Sequence, residues 1–377
     1  MKSANDGFST VIPTYNRSKY LATLLQSLNI AATQYGGPCE ILIVDDSEAE
    51  EAARTQQLCR QYGARFIAGP SSVRVKRNMG IQEARFPNIL FVDSDVTVAP
   101  DLYVRHAATL ATDDETVVGS VGVTRFVGAD SWMWDTITRT QFLNAFDFAE
   151  RMPYPPWATC SNTAYRRQAL IDIGLFDTTF PFRLGADDAD LGIRLVKAGF
   201  RLAAAPGAVV FHTRETWNSF TAIGRRALRW GRMDLHLFFL KHRERVGIGL
   251  PKFWHLFLLF LAAGVIQALV LASPWPLMLP LLWALLTLLL QGAATVRIKR
   301  ETWRLLSNEM AADVLGLIFE AGLILEGIRR GKLSVLYKGV QRGPVLPTFA
   351  QQEWVAQGWS MWLAAMFVMM IQLVWLA

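Results

Sequence analysis

A short apolar run that ends in two acidic residues constrains the fold of this chain more than any other stretch. The run covers Ile89 to Val92, and Asp93-Ser94-Asp95 follow directly. A run of this length and composition predicts a buried strand, and open α/β sheets bind their ligands at the carboxyl ends of strands. An acidic pair is also typical of a solvated turn, so its interpretation depends on the rest of the chain.

Strands alternate with helices through this part of the chain. Strands are predicted at residues 8–12, 40–44, 65–68 and 89–92, and helices at 18–32, 48–62 and 72–85. This alternation predicts a parallel sheet with right-handed crossovers. We therefore expect an α/β domain with a Rossmann-like, mostly parallel sheet. The first strand is not followed by GxGxxG, which argues against a dinucleotide fold of the dehydrogenase type.

The composition changes near residue 252. Residues 253–272, 275–296 and 359–377 are apolar runs of about bilayer length, which predicts three membrane-spanning helices. Residues 311–327 are also apolar but include three acidic residues, which predicts an interfacial or re-entrant helix. The chain is therefore expected to divide into a domain at 1–235 and an all-α transmembrane region at 236–377.

Charge and cysteine content narrow the expected location. The formal net charge is +6, and Lys and Arg gather at residues 225–245 and 297–342, beside the apolar runs. This distribution favours a multi-pass protein of a bacterial-type inner or plasma membrane with its first domain in the cytosol, and it does not favour nucleic-acid binding. The three cysteines are widely spaced and include no CxxC, so neither a disulfide framework nor a zinc site is indicated.

Four polar motifs fall where predicted strands end or helices begin. They are Val11 to Arg17 (Val-Ile-Pro-Thr-Tyr-Asn-Arg), Asp45-Asp46-Ser47, Lys76-Arg77-Asn78 and Asp93-Ser94-Asp95. In this order and spacing, from about Phe8 to Trp230, the chain resembles the inverting family 2 glycosyltransferases of the GT-A fold. The resemblance implies a nucleotide- and donor-binding set made of Pro13, Tyr15, Asn16, Asp45, Asp46, Arg77, Asn78 and Asp93. Turn formation explains Pro13 and Asn16 equally well, and solvation of a strand end explains at least one of the aspartates at 45 and 46.

A second acidic cluster opens a predicted helix. Asp187, Asp188 and Asp190 fall within four residues, whereas a helix cap needs one aspartate. Inversion at a sugar carbon requires a carboxylate that takes the proton of the acceptor hydroxyl. The resemblance assigns catalysis to Asp188, as the base, and to Asp187, although related enzymes usually have Glu-Asp here. Asp190 is expected to orient its neighbours or to cap the helix.

Asp95 and His212 are the candidate metal ligands. His212 closes a predicted strand at 208–211, where the resemblance implies a metal-binding histidine. The implied cofactor is Mg or Mn, held mostly by oxygen and acting as a Lewis acid on the departing diphosphate. A lone histidine is more often structural, which is the alternative for His212.

A basic helix is predicted just before the apolar runs. Arg225, Arg229 and Arg232 are four and seven residues apart and so share one helical face. Arg229-Trp230 loosely resembles the Gln-x-x-Arg-Trp element of membrane polysaccharide synthases, with Arg226 in place of Gln. The resemblance assigns Arg225, Arg229 and Trp230 to a phosphate or to the acceptor. A basic helix lying on anionic headgroups explains the arginines equally well.

These features predict a membrane-anchored, metal-dependent inverting glycosyltransferase. Its donor would be a nucleoside diphosphate sugar, with a UDP-linked sugar favoured, and its acceptor would be a lipid or lipid-linked molecule. Three alternatives are a processive polysaccharide synthase, a non-catalytic membrane scaffold that binds nucleotide sugar, and a transporter. Trp132, Trp134 and Trp157 could stack on an acceptor sugar, although packing is favoured in their apolar stretch. The sequence leaves the sugar and the oligomeric state open.

Overall fold

The computed structural model describes residues 6–181, 185–248, 253–340 and 350–376, which fall into two compact units. Unit 1 comprises Met1–Ala129 and Phe142–Thr216, and unit 2 comprises Asp130–Gln141 and Trp217–Ala377. The division falls before the expected boundary at residue 235. Residues 130–141, which the sequence placed in the first domain, belong to unit 2.

The strands and helices are numbered in chain order. Before residue 130 they are β1 (Phe8–Thr14), α1 (Ser18–Tyr35), β2 (Cys39–Asp45), α2 (Ala49–Tyr62), β3 (Arg65–Ala68), α3 (Val73–Glu83), β4 (Asn88–Val92), β5 (Val96–Val98), α4 (Leu102–Leu110) and β6 (Val117–Val127). Then follow α5 (Trp132–Ile137), α6 (Phe148–Arg151), β7 (Asn162–Arg166), α7 (Arg167–Asp172), α8 (Asp187–Lys197) and β8 (Arg201–Thr213). The remaining elements are α9 (Phe220–Asp234), a π-helix (Leu235–Lys241), β9 (Val246–Ile248), α10 (Phe253–Val270), α11 (Leu279–Ile298), α12 (Leu306–Arg329), β10 (Lys338–Val340) and α13 (Ala350–Leu376). Short 3-10 helices occupy Gln141–Asp147, Glu215–Trp217, Arg243–Arg245, Trp275–Met278, Trp303–Leu305 and Leu333–Leu336.

Unit 1 is built on an eight-stranded sheet with the strand order β3-β2-β1-β4-β7-β6-β8-β5. The first four of these strands run parallel, as the sequence predicts, and β6 and β8 are also parallel. Strand β7 is antiparallel to both β4 and β6, and β5 is antiparallel to β8. The sheet is therefore mostly parallel, with antiparallel pairs contributed largely by the second half of the unit.

The start of the chain differs in two details from the prediction. Pro13 does not end β1, because the strand continues to Thr14, which lies opposite Asp45 in the parallel register. Proline removes only its own N–H, so the ladder can continue past it. Ser18, which the sequence offers as a possible cap of the predicted helix at 18–32, is instead the first residue of α1. The cap position is Arg17, which makes no side-chain capping bond.

The core of unit 1 lies on both faces of the sheet. Alternate residues of β1 serve opposite faces, so Ile12 packs with the leucines of α1 and Val11 packs with Ile81 of α3. Gly80 allows α3 to approach the sheet, because a Cβ at this position would lie 2.3 Å from Cγ1 of Val11. This close approach brings the first turn of α3 to the carboxyl ends of β1 and β2.

Two helices of unit 2 are long and apolar enough to cross a membrane. They span Phe253–Val270 and Trp275–Ile298, with mean hydropathies of 2.1 and 1.9. They correspond to the first two runs that the sequence predicts as spanning. Helix α13 covers the third run as far as residue 376, and its crossing of a membrane stays a prediction; residue 377 lies outside the described residues.

Helix α12 extends beyond the predicted 311–327 at both ends and packs closely against α9. Glycines permit this contact: a Cβ on Gly322 would lie 2.2 Å from the carbonyl oxygen of Leu228, and one on Gly231 would lie 1.7 Å from that of Phe319. The two helix backbones therefore touch directly. Whether α12 is interfacial or re-entrant stays a prediction.

Candidate active site

The carboxyl ends of β1 and β2 hold Asp45 in a fixed position. Thr14 Oγ1 donates to Asp45 Oδ1 at 2.5 Å, and the hydroxyl and backbone N–H of Ser47 donate to the same carboxylate at 2.7 and 3.2 Å. The Asp45 side chain is buried. Its orientation is therefore set by the two strand ends rather than by solvent, which makes mere solvation a poor explanation of this aspartate.

Lys76, which lies in the third polar motif but was not among the predicted binding residues, joins the same strand ends. Its Nζ donates to the carbonyl oxygen of Thr14 at 2.5 Å and to Oδ1 of Asp46, and the side chain is buried. The residue comes from α3, whose buried face also includes Arg74 and Arg77. A helix that must pack on a sheet but carries basic residues where apolar ones are expected was the signal available in the sequence.

The loop after β1 is a turn that is held by hydrogen bonds. Asn16 has a positive φ of 50°, its backbone N–H donates to Ser47 Oγ at 2.7 Å, and its side-chain oxygen accepts from the Glu48 N–H at 3.3 Å. These bonds support the turn interpretation of Asn16. Tyr15 is 50% exposed beside this loop, so its ring is available to a ligand, and the donor-binding roles of Tyr15 and Pro13 stay predictions.

Basic residues of α3 hold the start of α8. Arg77 forms an ion pair with Oδ2 of Asp187, while Oδ1 of Asp187 accepts from the backbone N–H of Gly185 at 3.1 Å. Arg74 donates to the carbonyl oxygen of Gly185 at 2.5 Å. Asp187, Arg74 and Arg77 are all buried. Asp187 therefore anchors the turn before α8, a structural role that sequence reasoning did not assign to it.

Asn78 holds the segment around Phe176. Its side-chain amide donates to the carbonyl oxygen of Phe176 at 2.9 Å, and its side-chain oxygen accepts from the Phe176 N–H at 2.9 Å. This reciprocal pair fixes the loop that follows α7. It accounts for Asn78 without a ligand, and donor binding by Asn78 stays a prediction.

The three aspartates of α8 have different surroundings. Asp190 is fully buried and accepts from Arg194 Nε at 2.8 Å, and its orienting or capping role stays a prediction. The half-buried Asp188 accepts from the Ala189 N–H at 2.9 Å and has no ion pair with a described residue. Burial, followed by the neighbouring Asp187 carboxylate, raises the pKa of Asp188 to about 7. A carboxylate with this pKa can take and release a proton near neutral pH.

Asp93 and Asp95 occupy the turn between β4 and β5, and β8 brings His212 to them. His212 Nε2 lies 3.3 Å from Asp95 Oδ1, and Arg17 Nη1 lies 3.5 Å from Asp95 Oδ2. Val96 lies opposite His212 in the antiparallel register of β5 and β8, which explains the encounter. Burial and the neighbouring Asp95 carboxylate raise the pKa of Asp93.

The pair formed by Asp95 and His212 fits a divalent cation. His212 Nδ1 lies 2.8 Å from the carbonyl oxygen of Thr213, and since a carbonyl only accepts, Nδ1 carries the hydrogen. In the neutral ring, Nε2 therefore directs a lone pair toward the carboxylate. Adjacent ligands of an octahedral cation lie roughly 3 Å apart, close to the observed separation. Among the described residues, no group of three or more His, Cys, Asp or Glu side chains forms a metal site.

The arginines of the predicted basic face of α9 have different surroundings in unit 2. Arg232 donates to the buried carboxylate of Glu326, whereas Arg225 is exposed. Arg229 is half-buried, and its Nε has no hydrogen-bond partner in the part of the chain that is described. Trp230 packs against Trp217 with ring centroids 6.3 Å apart. The roles of Arg225, Arg229 and Trp230 toward a phosphate or acceptor stay predictions.

A mostly parallel sheet whose strand ends collect aspartates and a candidate cation pair is the arrangement of GT-A glycosyltransferases. The chain belongs to glycosyltransferase family 2: the sequence model described as "Glycosyltransferase like family 2" matches residues 5–232, more than half of the chain.

Similar proteins include two curated bacterial enzymes. The chain is 29% identical over 236 residues to an N-acetylglucosaminyltransferase of Mesorhizobium japonicum, which covers 59% of this chain and 54% of that protein. It is 25% identical over 256 residues to the chondroitin synthase of Pasteurella multocida, which covers 55% of this chain and 25% of that protein. The chain thus spans between a quarter and about half the length of these relatives.

A solved structure resembles the chain over a larger share of its length. It is a mannosyltransferase from Pyrobaculum calidifontis in complex with GDP-Man and Mn2+, with a TM-score of 0.46 and 19% sequence identity. The superposition covers 87% of this chain and 84% of that protein.

Proposed function

We propose that this protein transfers a sugar from a nucleoside diphosphate donor to an acceptor hydroxyl with inversion at the anomeric carbon. The observation that carries the proposal is the contrast within α8. Asp187 and Asp190 are each engaged by an arginine, whereas Asp188 has a raised pKa and accepts a single backbone hydrogen bond. Asp188 is thus the carboxylate of this helix that suits a general base.

The reaction is a direct displacement. Asp188 takes the proton of the acceptor hydroxyl, the acceptor oxygen bonds to the anomeric carbon, and the bond from that carbon to the diphosphate oxygen breaks. Asp187 supports the base by anchoring the turn through Gly185 and Arg77. The negative charge of Asp187 also keeps the pKa of Asp188 high.

The donor would occupy the edge of the sheet where β1, β2 and β4 end. Asp45 and Asp46 would meet the base and ribose together with the exposed ring of Tyr15, and Asp93 would meet the ribose or sugar. The positions of Asp45 and Asp46 are set by Thr14, Ser47 and Lys76 before a ligand arrives. A preformed site lowers the ordering cost of binding.

Asp95 and His212 would hold Mg or Mn, which when bound would neutralise charge on the departing nucleoside diphosphate. The hydrogen bond from His212 Nδ1 to the carbonyl of Thr213 keeps the other ring nitrogen directed at Asp95. Such a second contact of a ligating histidine fixes the tautomer that a cation needs.

A lipid or lipid-linked acceptor at the cytosolic face of a membrane is the acceptor class that we favour. Two helices of spanning length and composition support a membrane location. In unit 2, Arg225 and the half-buried Arg229 are available to a phosphate of such an acceptor, with Trp230 beside them. An arginine with an unpaired, shielded Nε suits a multiply charged anion.

The assignment of the base is tested by Asp188→Asn, with Asp172→Asn on the exposed side of α7 as the matched control. Transfer is expected to fall at least about a thousandfold in Asp188→Asn because the amide cannot take a proton. Binding of UDP with Mn, measured by calorimetry, should change less than about threefold, since the nucleotide contacts lie elsewhere. Full transfer activity in Asp188→Asn would refute the assignment.

A processive polysaccharide synthase is the second candidate, because one relative is named a chondroitin synthase. Product length on a polyacrylamide gel separates the two: a single added sugar supports our proposal, and a ladder of long chains supports the synthase. A non-catalytic scaffold would bind donor but give neither product nor donor hydrolysis.

A further inference from the structure

Residues 130–141 lie inside the stretch matched by the family model but are built into unit 2. Trp132 Nε1 donates to Ser307 Oγ at 3.2 Å. Asn308, which is buried at the start of α12, donates to the carbonyl oxygen of Trp132 at 2.8 Å and to Thr136 Oγ1 at 3.0 Å. Both ends of the Trp132 residue, its backbone and its indole N–H, are therefore fixed by α12.

Ion pairs tie the same segment to the chain that follows α11. Arg139 Nε lies 3.2 Å from Glu309 Oε1, and its Nη2 lies 3.2 Å from Glu301 Oε2. Lys299, one residue beyond α11, reaches the same Glu309 carboxylate at 3.2 Å. Glu309 is buried. Helix α5 is thus held at the level where the apolar helix α11 ends.

The solvent-exposed side chains around α5 and the end of α11 are aromatic and basic. Trp132 is 48% exposed although its N–H is engaged, and Trp303 is 64% exposed. Arg297, Arg300 and Arg304 are exposed and form no ion pair with any described residue. We call these five residues the Trp132 surface. Within the described chain, its acidic neighbours Glu301 and Glu309 are already paired with Arg139 and Lys299, so the surface carries surplus positive charge.

The indole N–H of Trp132 is bonded while its ring is exposed, and beside it lie the exposed Trp303 and arginines at the end of an apolar helix. This combination matches the chemistry of a membrane–water interface. Arginines attract anionic headgroups, and indole rings settle among headgroups. We propose that the Trp132 surface rests on anionic lipid headgroups. The proposal depends on the membrane location proposed above. It adds that a segment from within the glycosyltransferase sequence, and not only the apolar helices, contacts the bilayer.

The test places a fluorophore at single cysteines of the full chain in nanodiscs that contain phosphatidylglycerol. Labels at Trp132→Cys and Arg304→Cys probe the Trp132 surface. A label at Leu285→Cys in α11 probes membrane insertion, and a label at the exposed Ile30→Cys in α1 is the control in unit 1. The native thiols interfere little, because burial raises the pKa values of Cys39 and Cys59 to about 11 and Cys160 is buried.

Nitroxides attached to headgroups should quench the labels at 132 and 304 at least threefold more than the label at 30. Nitroxides deep in the acyl chains should quench the label at 285. If the label at 285 is quenched but those at 132 and 304 behave like the label at 30, the proposal is overturned while the membrane location stands. If the label at 285 also escapes quenching, the membrane location itself fails.

A second measurement keeps Trp132 intact and tests the charge. In Arg297→Cys with the label at 297, quenching by headgroup nitroxides should fall at least twofold when phosphatidylcholine replaces phosphatidylglycerol or when salt is raised to 1 M, because screening weakens attraction between exposed charges. If quenching depends on neither lipid charge nor salt, the assignment to anionic headgroups is overturned and a protein partner for the Trp132 surface is favoured.

Discussion

Two carboxylates that are withdrawn from solvent, Glu326 in unit 2 and Asp188 in unit 1, are balanced differently by the basic side chains around them. In unit 2, Glu326 is 1% exposed and meets Arg232, His236 and Arg330 within about 3 Å. In unit 1, Asp188 is partly buried and has no such basic partner among the described residues. The difference teaches that buried charge alone does not mark chemistry. The compensated Glu326 carboxylate fastens helices together, whereas the pKa of the uncompensated Asp188 carboxyl is raised, so that it can exchange a proton near neutral pH.

Glu326→Gln should give the largest effect on stability. It leaves four basic side chains, including Arg329 at 3.5 Å, without their shared anion. Breaking a buried ion pair in this way costs about 3–5 kcal/mol. The midpoint of thermal unfolding in detergent micelles should fall accordingly. The control is Glu50→Gln, which removes an exposed pair with Arg54 and should cost at most about 0.5 kcal/mol. Equal shifts in the two variants would show that the Glu326 cluster stabilises the protein no more than an exposed ion pair does.

The pH dependence of transfer tests the uncompensated carboxylate. With the pKa of Asp188 at about 7, the base is ionised above that pH and becomes protonated below it. The rate at low donor concentration should therefore fall about tenfold for each pH unit below 7, or roughly a hundredfold at pH 5. A profile that stays flat down to pH 5 would show that no base with a pKa near 7 controls transfer.

Gly322→Ala probes the backbone contact between α9 and α12. The added methyl would lie 2.2 Å from the carbonyl oxygen of Leu228, so the helices must separate, at a cost of about 1–3 kcal/mol. Gly316→Ala in the same helix meets nothing within 4 Å and should be neutral or stabilising by up to about 1 kcal/mol. Thermal unfolding of the two variants in one detergent makes the comparison, and a Gly322→Ala protein as stable as Gly316→Ala would contradict it.

Arg17→Met should give the smallest effect. Arg17 and a cation compete for Asp95, so removing the guanidinium should tighten Mn binding without donor by about two- to fivefold. Titration followed by electron paramagnetic resonance of free Mn measures this directly. Lys19→Met, which loses an exposed contact to Glu215, should leave Mn affinity unchanged. Weaker Mn binding in Arg17→Met would remove Asp95 from the cation site.

The strand ends of unit 1 were predictable from the sequence because they depend on local patterns. Apolar runs locate β1, β2 and β4, and the polar residues that follow them, among them Asp45 and Asp95, meet at one edge as parallel strands require. The approach of His212 to Asp95 was also anticipated, although β5, which brings them together, was not.

The contacts that decide which residue does what were not predictable, because they join distant segments. Periodicity does not show that Arg77 pairs with Asp187, that Arg17 faces Asp95, or that Lys76 spans two strand ends. Strand β7, which fills the middle of the sheet, follows an aromatic and Pro-rich stretch and has no apolar run of its own. Local propensity cannot specify such pairings, since tertiary packing determines them.

Because residues 130–141 belong to unit 2, a soluble fragment of the protein is harder to design than the sequence suggests. Hydropathy suggests a cut after residue 235, but that cut removes Asn308 and Glu309, to which residues 130–141 are bonded. The buried side chains of Met133 and Ile137 would then lose the helix that α5 packs against. A truncated enzyme is therefore expected to aggregate unless residues 130–141 are replaced by a short polar loop.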